Sequence, residues 1–70
     1  MKEIKLSNGK TIKMREPKVR DMKIINNIKN EFEKELTLIV NLTEMTPNEV
    51  DELSLKDFNK IDEALKSFLS

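Results

Sequence analysis

In 70 residues the chain has no histidine, cysteine, tryptophan or tyrosine, and only one glycine. Without His or Cys it lacks the commonest general base, the commonest nucleophilic thiol and the two principal zinc ligands. The lack of Cys also excludes a disulfide framework and makes a reducing compartment the expected home. A lone Gly9 leaves no Gly-rich loop to cradle a phosphate, and no Asp-x-Asp-x-Asp-Gly segment supports calcium. No apolar run approaches the ~20 residues that span a bilayer, and Met1-Lys2-Glu3-Ile4 lacks the apolar stretch of a signal peptide. Nor does one sign of charge dominate, since 13 Lys and Arg balance 13 Asp and Glu. A nucleic-acid binder usually carries a basic excess, because counterion release on phosphate contact drives its affinity. The one basic concentration, Lys10, Lys13, Arg15, Lys18, Arg20 and Lys23, reads as a solvated surface. What survives these exclusions is a small interaction domain with no cofactor, no metal and no membrane partner.

The length fits one domain over residues 1–70, with a hairpin in 1–15 and a helical region in 18–69. Hydrophobic residues make up 37% of the chain and the aromatics are Phe32, Phe58 and Phe68 alone. A core of this size supplies a net stability of about 3–5 kcal/mol. So thin a margin makes self-association or packing on a partner a natural supplement.

Polar and apolar residues alternate over Lys2–Leu6 and again over Thr11–Arg15, with Ser7-Asn8-Gly9 between them: a β-hairpin pattern. A two-residue Asn-Gly turn would put the apolar residues of the two strands on opposite faces. A three-residue loop with Gly9 left-handed pairs Ile4 with Ile12 and gathers Ile4, Leu6, Ile12 and Met14 on one face. Pro17 ends the second strand. Val19, Met22, Ile25 and Ile28 then recur at helical spacing, and Phe32, Leu36, Ile39, Val40 and Leu42 continue the pattern. Asn30, with Glu33 as capping-box partner, divides the segment into two helices; a single helix from about Val19 to Thr43 is the alternative, because Asn is disfavoured in helices but not forbidden. Thr46-Pro47-Asn48-Glu49 combines an N-cap, a first-turn proline and a capping-box glutamate. Ser54 caps a final helix whose stripe is Leu55, Phe58, Ile61, Leu65, Phe68 and Leu69. The expected class is therefore α+β, mainly helical: an N-terminal β-hairpin followed by three or four short helices in a small bundle.

Taken in order, Arg15-Glu16-Pro17, Val19-Arg20-Asp21-Met22, Leu42-Thr43, Thr46-Pro47 and Leu53-Ser54-Leu55-Lys56-Asp57-Phe58 resemble the small tail assembly chaperones of long-tailed phages and prophages. The likeness is to the short chaperones typified by phages related to Mu and P2, and it covers essentially the whole chain. Two positions depart from it. Lys18 stands where a small hydroxyl residue is frequent, and Glu44-Met45 follows Leu42-Thr43 where a glycine is common, so the helix end there is expected to be less sharp. The resemblance implies a non-enzymatic protein of the host bacterial cytoplasm. It would hold the tape measure protein, a long helical and hydrophobic chain, during tail assembly and be absent from the mature virion.

Acids such as Glu31, Glu33, Glu35, Asp51 and Glu52 read as solvated groups near helix starts, not as a catalytic pair. Asn41-Leu42-Thr43 matches a glycosylation sequon by chance. For partner contact the candidates are Met22, as an adaptable side chain, and the apolar residues left over from the main stripes, Ile24, Leu38, Met45 and Leu69. Two other classes compete with a chaperone. A helix-turn-helix nucleic-acid regulator requires a basic recognition helix, and a head or tail connector would stay in the particle.

Overall fold

The computed structural model describes residues 1–69. The chain runs β1 (Lys2–Lys5), β2 (Thr11–Met14), α1 (Val19–Ile25), α2 (Glu31–Thr43), α3 (Pro47–Asp51) and α4 (Leu55–Leu69), the α+β, mainly helical order read from the sequence. The strands pair antiparallel with Ile4 opposite Ile12. The three-residue loop sets this register: the Leu6 amide donates to the Lys10 carbonyl at 2.8 Å, and the Gly9 amide to the Leu6 carbonyl at 3.1 Å. Gly9 sits at φ 89°, where a Cβ would be strained. Ile4, Leu6 and Met14 are thereby buried, with Ile12 packed at their edge.

That apolar face lies on the helices: β2 packs on α2 and β1 on α4. Ile39 and Ile61 are fully enclosed, and Leu38, Leu42, Val50 and Leu65 surround them. Asn30 divides the helical segment in two, its Oδ1 accepting from the Glu33 amide at 3.1 Å, although the return bond from the Glu33 side chain is not made. At Thr46 both halves of the expected box form, with Glu49 Oε1 accepting from the Thr46 amide at 2.9 Å and Thr46 Oγ1 from the Glu49 amide at 3.2 Å. Ser54 Oγ opens α4 by accepting from the Asp57 amide.

Three expectations are corrected. Only half of the three-residue stripe at α1 faces inward: Ile25 is buried and Ile28, just beyond the helix, packs on the core, but Val19 is 74% exposed and Met22 51%, and Asp21 is buried instead. An ion pair to Asp21 sets the rotation of this helix. In α4 the stripe overhangs the core at both ends, so Leu55 and Leu69 lie exposed. Fifteen helical residues span about 22 Å, and the four-residue strand they lie against only about 13 Å. Finally, α2 ends sharply without a glycine. Glu44 itself adopts φ 63° and its amide closes on the Val40 carbonyl. A left-handed non-Gly residue costs roughly 1–2 kcal/mol, a cost that a glycine at this position would avoid.

Candidate functional site

Two buried carboxylates of the sequence motifs, Asp21 and Asp57, are fully engaged in tying the hairpin to the helices. Asp21, 1% exposed, takes both guanidinium nitrogens of Arg15, Nη1 to Oδ2 at 2.9 Å and Nη2 to Oδ1 at 2.8 Å. Its Oδ2 also accepts the Lys18 amide at 2.8 Å. Lys18 has no side-chain acceptor with which to cap α1, so the carboxylate caps the helix from inside. The guanidinium, more than the amide, holds the Asp21 carboxyl down at about 2. The amide of Arg15 reaches the Leu42 carbonyl at 3.0 Å, fastening the end of β2 to the last turn of α2. Arg15, Asp21 and Leu42 thus form one joint.

A second carboxylate fastens the hairpin's other end. Asp57, buried at the start of α4, accepts the Ser7 amide on Oδ1 at 2.9 Å and the Ser7 hydroxyl on Oδ2 at 2.8 Å. These donors, the amide first, hold its carboxyl below the ordinary range. Lys2 adds a third tie, donating to Ser67 at 2.9 Å with its ammonium over the Phe68 ring.

One acidic contact is uncompensated. Glu35 on α2 and Asp62 on α4 bring their carboxyls within hydrogen-bonding reach; burial first, and Asp62 second, raise the Glu35 carboxyl above its usual range. Lys66 pairs with Asp62 Oδ2 at 3.2 Å, and Asp62 Oδ1 is buried without a partner. A group raised in the folded state favours folding below its folded value and loses that contribution as pH rises through it. Glu35→Gln supplies an amide donor to the orphaned oxygen and removes the repulsion. It is expected to stabilise the chain by about 1 kcal/mol at pH 7, with a smaller gain at pH 4, as read by urea denaturation at both values.

The apolar surface that the core leaves over lies elsewhere, in a groove between α2 and the α3–α4 corner. One depression, of about 290 Å³, is lined by Leu36, Thr37, Val40, Pro47, Val50 and Asp51. Its neighbour, of about 300 Å³, shares Leu36, Val50 and Asp51 and adds Phe32, Leu53, Leu55, Phe58 and Asn59. Phe32 is 57% exposed and Leu55 80%, and the Phe32 and Phe58 rings meet edge-tilted with centroids 5.8 Å apart. Asp51 is the only charged side chain in either lining. Such a surface has no nucleophile or paired acid and base; it can bury apolar side chains and meet one cation.

Of the five residues singled out from the sequence, Met22, Ile24 and Leu69 lie about half exposed, and none of them lines this groove. Leu38 and Met45 are core side chains, 4% and 8% exposed, a correction to their reading as surplus apolar residues. Leu38 is covered because α2 packs against α1, β2, α3 and α4 together. The left-handed turn at Glu44 folds Met45 back beside Leu6 and Ile12. Of the groove residues on α2, Leu36 and Val40 are half-buried against the core, as their place on the stripe predicts, and Phe32 is exposed. The signal that groups the three is their own spacing, i, i+4 and i+8, on a helix that already spends Leu38, Ile39 and Leu42 on the core.

Among the described residues no helix is long and apolar enough to cross a membrane. A family model described as phage tail assembly chaperone proteins, E, or 41 or 14, matches residues 3–70. No curated protein and no solved structure gives a significant match.

Proposed function

The chain belongs to the phage tail assembly chaperone family, and from that premise we propose that it holds the tape measure protein during tail assembly, without catalysis. The observation that carries this reading is the open apolar groove of α2, α3 and α4, in a chain whose charge-balanced surface gives no general attraction for phosphate. A tape measure protein, as the resemblance describes it, is a long, helical and hydrophobic chain. Shallow grooves cover helical stripes. Many weak contacts along one client give avidity while letting each copy leave as tube subunits replace it. The protein acts in the cytoplasm of the host cell and is absent from the finished particle.

The test is co-expression with the tape measure protein of the same genome, followed by pull-down and size-exclusion chromatography. Co-elution, with the client soluble only when this chain is present, is the expected result. A client that stays soluble alone and does not associate would overturn the reading. Finding the chain in purified virions would make it a structural subunit instead.

A further inference from the structure

We propose that the α2–α3–α4 groove is the client face and that its occupant is an amphipathic helix carrying two apolar side chains four residues apart and a Lys or Arg beside them. The inference rests on the chaperone reading and deepens it by assigning the surface and the chemistry of the segment bound. Two observations lead to it. Along α2 the two linings step by four residues: Phe32 and Leu36 belong to one depression, Leu36, Thr37 and Val40 to the other. Their offset is therefore one step of four helical residues, about 6 Å, the distance between the i and i+4 side chains of a helix laid along α2. Charge gives the second constraint. Asp51 is exposed, lines both depressions, and has no Lys or Arg in the lining to neutralise it. A cation on the incoming helix would pair with it, whereas an acidic residue there would be repelled.

The α1 helix of a second copy fits less well. The exposed apolar pair Val19 and Met22 belongs to α1, which has seven residues. That is about 10 Å of helix, too short to fill both depressions and reach Leu55.

The experiment uses the intact chain, the tape measure protein of the same genome, and overlapping synthetic peptides covering it. Peptides bound by the wild type should share the apolar pair and the neighbouring cation. Asp51→Lys and Leu55→Glu should each weaken their binding at least tenfold, with circular dichroism and melting temperature unchanged because both positions are exposed. Reversing the peptide's cation to Glu should restore binding to Asp51→Lys. If the wild type fails to capture the full-length client, the chaperone reading fails. If it captures the client and both variants bind as well as wild type, the chaperone reading stands and this groove is not the face. Concentration-dependent self-association abolished by the same substitutions would assign the groove to a second copy and overturn the client proposal.

Discussion

Replacing Asp21 by Ala is expected to remove most of the chain's stability at 25 °C. The substitution removes the carboxylate that takes both guanidinium nitrogens of the partly buried Arg15, the acceptor of the Lys18 amide and the internal cap of α1 in one step. Deleting one partner of a buried pair costs about 3 kcal/mol or more, against a net stability of about 3–5 kcal/mol for a core this small. Asp21→Asn keeps the shape and an acceptor but turns an amide toward the guanidinium, so it should lie between wild type and Ala. Arg15→Met with Asp21→Leu, which removes both charges, should recover much of the loss. Urea denaturation followed by circular dichroism ranks all four proteins; an Ala variant as stable as wild type would remove this joint from the account. Acid tests the same joint. A carboxyl at about 2 when folded and 3.8 when unfolded contributes stability that is complete above pH 4 and lost as pH falls toward 2. Asp57 shifts in the same direction. Wild-type stability should drop steeply in that window, and less so in the Arg15→Met, Asp21→Leu pair.

Ile61→Ala should cost about 3 kcal/mol, in the range for deleting a fully enclosed aliphatic side chain. Leu55→Ala, on the same stripe of the same helix, should change stability by less than about 0.5 kcal/mol. Sequence periodicity treats the two as equivalent. The structure encloses Ile61 between α2 and the hairpin and leaves Leu55 at the lip of the groove. Equal losses from the two substitutions would mean that Leu55 belongs to the core and is not spare for a client.

That pair also shows how far the sequence could be read. Signals that act through neighbours in the chain were legible: the Ser7-Asn8-Gly9 loop and its Ile4–Ile12 register, the Thr46–Glu49 box, the Ser54 cap and the break at Asn30. Their geometry is local, and a residue's type nearly decides it. Contacts between distant segments were not legible. Nothing in the spacing of Arg15 and Asp21, or of Ser7 and Asp57, announces a bond, although Arg15, Asp21 and Asp57 all lie within the motifs that carry the family resemblance. Those motifs record how the hairpin is fastened to the helices. Most of the groove is built from residues outside them, above all Phe32, Leu36 and Val40. Periodicity places these with the core, on which Leu36 and Val40 do pack, and does not report how much of each side chain stays open beside it. Leu38 and Met45 were misplaced for the converse reason: each lies off the main stripe but is covered by elements that meet only in three dimensions.

The central claim is that the Arg15–Asp21 and Ser7–Asp57 ties hold the fold while the groove holds the proposed client. The measurement that tests it most directly is a two-dimensional NMR titration of the labelled chain with the tape measure segment that binds it. The account predicts shifts concentrated on Phe32, Leu36, Val40, Val50, Asp51 and Leu55, with Arg15, Asp21 and Ser7 unmoved. Shifts centred on α1 or on the Arg15–Asp21 joint, with a silent groove, would contradict it.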